Sequence, residues 1–240
     1  LYLAHTYPHQ PLHASENFRG KSKGGLYGDT IEEIDWSLGE LMRTLKAGGK
    51  WENTLIVFTS DNGAWYNGSN GALRGRKGQS YEGGYRIPTI AHYPAMIPAG
   101  ITCDAPAMNI DWFPTCLALA GVALPQDRVI DGKDIRRLLT GADDQSPHDA
   151  FYFYHNYRLE AMRTGRWKYI PRIHTYTWPM PLDKFWGSAG TAQAPWLYDL
   201  ESDPQECYNL KDNYPEVVAD LEARFRAWET QMEHDSFGRK

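Results

Sequence analysis

The segment Thr54–Pro88, TLIVFTSDNGAWYNGSNGALRGRKGQSYEGGYRIP, constrains this chain more than any other. An apolar run, Leu55–Thr59, stops abruptly at Ser60-Asp61-Asn62-Gly63. A buried strand that delivers oxygen-bearing side chains at its C-terminal end is how open α/β sheets build their sites. Asp61 and Asn62 carry hard oxygens of the kind Ca²⁺ or Mg²⁺ takes. Lys77 follows with a compact positive charge suited to an oxyanion, and Tyr81-Glu82-Gly83-Gly84 comes next. Strand, oxygen pair and cation together point to metal-assisted hydrolysis of an anionic ester.

The remaining pattern is mixed α and β. Leu1–Ala4 reads as a buried strand. Ile31, Ile34, Leu38, Leu41, Met42 and Leu45 keep a 3.6-residue period, so Asp29–Ala47 is an expected amphipathic helix. Thr30 and Glu33 have capping-box spacing, and Gly48-Gly49 stops the helix. Ser60–Tyr85 reads as a long glycine-rich loop, a length that compact domains keep for function. Ile87–Tyr93 is a further strand; Asp111–Ala120 and Asp134–Leu139 are short helices. After Pro147 the pattern changes. Phe151–Tyr157, Glu160–Ile170 and Trp196–Leu200 read as strands, with a hairpin turn at Thr164-Gly165. Val218, Leu221, Phe225, Trp228 and Met232 step by three and four along a final helix. The expected organisation is an α/β part over 1–147 and a small α+β subdomain over 148–240, a helix on antiparallel strands.

Composition narrows the classes. At 240 residues the chain is long enough for a sizeable core in one or two domains. A net charge of −5 argues against a broad basic nucleic-acid surface and leaves room only for a local patch. No apolar run approaches the roughly 18 residues that span a bilayer. Three cysteines are too few for a disulfide framework. Asn67-Gly68-Ser69 is a glycosylation sequon that matters only in a eukaryotic secretory pathway.

The ordered set His9-Gln10-Pro11-Leu12, Ser60–Gly63 and Lys77–Pro88 resembles the sulfatase family. The similarity continues through Asp111-Trp112-Phe113-Pro114-Thr115, Asp131-Gly132-Lys133-Asp134 and Leu197-Tyr198-Asp199-Leu200, so it covers nearly the whole chain. Gly68-Ser69-Asn70-Gly71 and Leu124–Arg128 look closest to the arylsulfatase and steroid-sulfatase branch. The resemblance implies an alkaline-phosphatase-like α/β sandwich, present here in part, and hydrolysis of a sulfate monoester of a small molecule or glycan. It implies a divalent metal, Ca²⁺ in the family, held in part by Asp61 and Asn62. His9 and Lys77 become the catalytic and substrate-binding residues. The nucleophile in the family is a formylglycine made from the Cys or Ser of Cys/Ser-x-Pro-Ser-Arg. None of Cys103, Cys116 and Cys207 stands in that motif, and no serine does. This expectation places the nucleophile in an N-terminal part of a longer enzyme, with the fragment alone inactive. The family also favours a periplasmic, secreted or lysosomal setting.

Each residue has a plainer reading. Asp61-Asn62-Gly63 in isolation is a turn signature. Lys77 stands beside Arg74 and Arg76, and Arg76 is the alternative cation. His5, His9 and His13 are spaced for a zinc-binding helix face, but Pro8 and Pro11 argue against that helix. Asp111, Asp131 and Glu82 read as a helix N-cap, a turn and a loop anchor. Trp178, Phe185 and Trp186 read equally as substrate rim or packing. Two rival functions remain: a phosphodiesterase or phosphonate monoester hydrolase on the same scaffold, and a non-catalytic sulfatase-like protein.

Overall fold

A computed structural model describes residues 1–173, 176–177, 180–181 and 194–234. The chain resolves into two compact units, residues 1–57 with 90–99, and residues 58–89 with 100–240.

The first unit is built on helix α1, Gly25–Ala47. Its apolar residues Ile34, Leu38, Leu41 and Leu45 are half-buried, as the period requires. The helix begins four residues before the expected start, and the expected capping box does not form. The Thr30 hydroxyl donates to the carbonyls of Leu26 (2.8 Å) and His13 (3.1 Å), while Glu33 accepts the Ser15 N–H at 2.8 Å. Asp29 takes over the anchoring. Buried, it accepts the N–H groups of Gly20, Lys21 and Ser22 at 2.7–3.1 Å. Those bonds, Ser22 foremost, hold its pKa below the usual value. Gly49, at φ 63°, ends the helix where the sequence says it should. Leu1–Ala4 is not a strand. It is exposed and pairs with no strand among the described residues, so nothing satisfies a ladder there.

Strand β1, Ile56–Thr59, pairs with β2, Thr89–His92. Between them runs the long loop, which closes in a one-turn helix α2, Glu82–Tyr85. Short helices α3, Trp112–Leu119, and α4, Arg136–Leu139, follow. Asp111 does not cap α3. Fully buried, its carboxylate accepts the N–H groups of Met108 (2.7 Å) and Lys133 (2.8 Å) and sits 2.8 Å from His148 Nε2.

The C-terminal strands form one antiparallel sheet in the order β3-β4-β5-β8: Phe151–His155, Arg158–Thr164, Trp167–Ile170 and Trp196–Asp199. Two short strands, β6 (Tyr176–Thr177) and β7 (Met180–Pro181), pair separately. Helix α5, Pro215–His234, lays Leu221 and Phe225 on one sheet face against Leu159, Met162, Tyr169 and Leu197. Trp228 stacks on Tyr152 at 4.0 Å and donates to the Tyr154 hydroxyl at 2.8 Å. The other face packs Phe153, Ala161, Ile170 and Tyr198 against Tyr81 of the long loop. A bulge between Phe153 and Tyr154 leaves Glu160 as the extra residue of β4. Buried there, Glu160 accepts the Ser80 hydroxyl at 2.7 Å. No helix among the described residues is long and apolar enough to cross a membrane.

Charge completes this second contact. Lys168 of β5 is wholly buried, its ammonium 3.0 Å from Glu82 Oε1 and 3.1 Å from Glu206 Oε1. Arg163 of β4 reaches the second oxygen of Glu82 at 3.0 Å. Glu206 Oε2 accepts the Glu82 N–H at 2.7 Å. Burial pushes the Glu82 carboxyl up, but Lys168 and Arg163 outweigh it, so its pKa falls below the usual value. Burial wins at Glu206, where Lys168 offsets only part of the rise. Removing one partner of such a cluster strands the rest without compensation. Lys168→Met is therefore expected to cost about 3–5 kcal/mol. Urea denaturation reads this as a lower midpoint at unchanged slope; an unmoved midpoint would show that the cluster does not hold the loop to the sheet.

Candidate functional site

The site begins where β1 ends. Thr59 Oγ1 contacts Thr89 Oγ1 at 3.1 Å, and Asn109 Nδ2 donates to the Ser60 carbonyl at 2.8 Å. These bonds fix the strand's C-terminal end, and Asp61 and Asn62 follow directly. Asp61 is exposed and Asn62 half-buried. The Ser60 hydroxyl donates to the Asn62 carbonyl at 3.2 Å and lies 3.4 Å from Asp61 Oδ1. Asn62 spends its amide nitrogen on the Gly63 carbonyl at 3.0 Å, which leaves its side-chain oxygen to accept.

The loop then folds back on itself. Gly63 N–H donates to Gly84 O at 2.9 Å, Ala64 N–H to Asn70 Oδ1 at 2.7 Å, and Asn70 Nδ2 to Gly75 O at 2.9 Å. Lys77 N–H donates to Ala64 O at 3.2 Å. Lys77 thus lies alongside the segment that carries Asp61 and Asn62, its main chain bonded two residues past Asn62. Residues 76–79 close a turn through Gln79 N–H to Arg76 O at 2.9 Å, with Gly78 at φ 84°. A positive φ at the third position alone is a type II turn, which glycine fills without strain. Elsewhere in the loop glycine is required by crowding. A Cβ on Gly63 would lie 1.9 Å from Gly83 O, and one on Gly84 2.0 Å from Gln79 O.

The three neighbouring cations differ in what they touch. Arg74 donates to Glu206 O (2.8 Å) and Tyr198 OH (3.2 Å) and lies 4.2 Å over the Tyr81 ring. Arg76 donates to Trp65 O (2.9 Å) and Gly68 O (3.2 Å) and lies 5.1 Å over Tyr66. Lys77 is half-buried, and its ammonium has no hydrogen-bond or ion-pair partner among the described residues. Arg74 thus ties the loop to Tyr198 and Glu206, and Arg76 ties the loop to itself. A polar hollow of about 300 Å³, lined by Tyr66, Ser69, Asn70, Arg76 and Gln79, opens in the same loop.

His9 belongs to the first unit, where it is exposed and its Nδ1 lies 2.7 Å from the Gln10 carbonyl. His5 and His13 are also exposed, and residues 5–13 form no helix. Among the described residues no three His, Cys, Asp or Glu side chains cluster as a metal site. Asp61 and Asn62 nevertheless fit a share of one: an exposed carboxylate beside a hydroxyl, and an amide oxygen whose nitrogen is already engaged. Two such ligands are a fraction of the 6–8 oxygens Ca²⁺ takes. Glu82 is a loop anchor, as expected. Trp178, Phe185 and Trp186 lie outside the described residues. Lys168, Glu206 and His155, which hold the loop, carried no motif. The one available signal was a lysine inside the apolar strand Trp167–Ile170.

Residues 1–122 match the Sulfatase family model, and residues 76–231 match the C-terminal model of N-sulphoglucosamine sulphohydrolase. The chain belongs to the sulfatase family. Human steryl-sulfatase is 37% identical over 230 residues, covering 86% of this chain and 40% of the relative. PsFucS1 sulfatase from Pseudoalteromonas sp. matches at TM-score 0.80 and 28% identity, over 95% of this chain and 47% of that one. The phosphonate monoester hydrolase of Agrobacterium radiobacter matches at TM-score 0.57 and 25% identity, over 86% and 41%. The fold is the alkaline-phosphatase-like α/β class, and the chain spans less than half the length of these three relatives.

The crowding at Gly63 sets an expectation. Gly63→Ala must push the Gly83 carbonyl aside, whereas a Cβ on Gly71, at φ 60°, meets nothing within 4 Å. Gly63→Ala is expected to lose about 1–3 kcal/mol or more by overpacking, against roughly 1 kcal/mol for Gly71→Ala from backbone strain alone. Chemical denaturation of both variants checks the order; a larger loss at Gly71 would contradict the packing.

Proposed function

We propose that the protein carrying this chain is a sulfuric ester hydrolase, arylsulfatase-like, that cleaves a sulfate monoester of a small molecule or glycan to an alcohol or phenol plus sulfate. One observation carries the reading. Of three adjacent cations only Lys77 is left without a protein partner among the described residues, and its backbone is bonded beside Asp61-Asn62 at the end of β1. Asp61 and Asn62 would hold part of a divalent metal site, Ca²⁺ by family. The metal and a formylglycine from an N-terminal part of the same enzyme would supply the Lewis acid and the nucleophile. Lys77 binds the sulfate and stabilises charge developing on its oxygens. His9 donates a proton to the leaving oxygen. Residues 1–147 would belong to the catalytic α/β domain, and 148–240 would form the small subdomain that carries the four-stranded sheet.

The phosphonate hydrolase match keeps one alternative in view. Aryl sulfate, phosphate diester and phosphonate monoester, offered to the full-length protein, separate the readings; preference for the phosphonate would replace the sulfatase assignment. The 240-residue chain by itself is expected to turn over no aryl sulfate. Turnover by a preparation free of other sulfatases would overturn that expectation.

In the full-length enzyme Lys77→Ala and His9→Ala are each expected to lower kcat/KM by about 10²–10⁴-fold. Arg76→Ala should be milder. Steady-state kinetics beside a melting curve reads the difference. Collapse at Arg76 with near-parental activity at Lys77 would transfer the role to the arginine.

A further inference from the structure

The turn that presents Lys77 is held from the other side by the C-terminal sheet. His155, the last residue of β3, places its Nδ1 3.0 Å from the carbonyl oxygen of Gly78, the residue after Lys77. A carbonyl only accepts, so Nδ1 carries the proton and donates. Nε2 of the same ring has no partner among the described residues. The strand end is bonded to the loop a second time: the Tyr85 hydroxyl donates to the Tyr154 carbonyl and accepts the Tyr154 N–H at 3.1 Å. The bulge between Phe153 and Tyr154 shifts the pairing of this strand end, giving Tyr154 with Leu159 and His155 with Arg158. A regular ladder would send alternate side chains to opposite faces without such an offset.

The Lys77 backbone is therefore fixed at three points. Its own N–H is bonded to Ala64, the turn closes from Arg76 to Gln79, and the Gly78 carbonyl is capped by His155. The first two are local to the loop. The third comes from the sheet and bears directly on the residue after Lys77; the nearest other bond to the sheet, Ser80 Oγ to Glu160, lies two residues further along.

We propose that His155 is a positioning residue for Lys77: through the Gly78 carbonyl it fixes the turn on which the ammonium stands. The proposal rests on Lys77 being the sulfate-binding cation. Side-chain isosteres make it testable in the full-length enzyme. In His155→Asn the amide nitrogen takes the place of Nδ1 and can still donate to Gly78. In His155→Gln the amide reaches toward the Nε2 position and leaves the carbonyl uncapped.

The expected result is a kcat lowered about 10- to 100-fold in His155→Ala and His155→Gln, the scale of a small displacement of a catalytic group. His155→Asn should return to within a few-fold of the parent, with melting temperatures of all three close together. In the Lys77→Ala background His155→Ala should add no further loss, because both act through one ammonium. Rescue by Gln and not by Asn would make Nε2 a substrate contact and overturn the positioning role. Equal kcat in all three variants would overturn it too, leaving at most a contribution to stability. Parental activity in Lys77→Ala would instead bring down the sulfate-cation reading, and the proposal with it. Collapse at Lys77 with no effect at His155 would remove the proposal alone.

Discussion

The ammonium of Lys168 is the interaction on which the candidate site depends. It is buried in a strand of the C-terminal sheet, and a lysine there is tolerable only with its charge answered. Glu82 answers from the end of the long loop, and Glu206 from the chain after β8. Arg163 supplies the second cation, so two carboxylates meet two positive groups. Buried ion pairs are weak evidence of net stability, but they tolerate no rearrangement that separates the partners. That property matters more here than the energy. A loop of more than twenty residues would otherwise have many conformations of similar free energy. Fixing Glu82 at its far end, with Ser80 bonded to Glu160, leaves it few.

Within that frame glycine sets the geometry and the arginines tie it off. Gly63, Gly83 and Gly84 allow main chain to pass main chain at distances no Cβ permits. Arg74 and Arg76 satisfy the carbonyls of Glu206, Trp65 and Gly68 and lie over tyrosine rings, a use that suits the planar guanidinium with its several donors. Lysine has three donors on a flexible stem and no comparable fit to a fixed set of carbonyls. The division between structural arginine and available lysine follows from the shapes of the two groups.

The helix on the opposite face of the sheet extends this logic. Leu221 and Phe225 of α5 bury one side of the strands whose other side carries Lys168, Glu160 and the apolar cluster around Tyr81. The small C-terminal sheet is thus covered on both faces, by a helix on one and by the site loop on the other. Apolar packing on the helix side gives the strands the rigidity from which charged side chains on the loop side can act.

Much of this could be read directly from residue order. The apolar run ending in Asp61-Asn62, the glycines after Lys77 and the periodic positions of α1 and α5 are local patterns, and local sterics and side-chain periodicity are enough to place them. Strand runs and a hairpin turn likewise foretold the four-stranded sheet and its helix. Tertiary structure decided the rest. Thr30 has the spacing of a cap but bonds one turn back, Asp111 precedes a helix but anchors Met108, Lys133 and His148, and Leu1–Ala4 is apolar but finds no ladder among the described residues. That Arg76 is spent on the Trp65 and Gly68 carbonyls also needed the fold. Lys168 showed only as a lysine in an apolar run and His155 not at all, because their partners, Glu82 and Gly78, lie more than seventy residues away along the chain. Periodicity reports which face a residue takes, whereas a buried charge or a capped carbonyl is defined by the group across from it, and only the folded chain supplies that group.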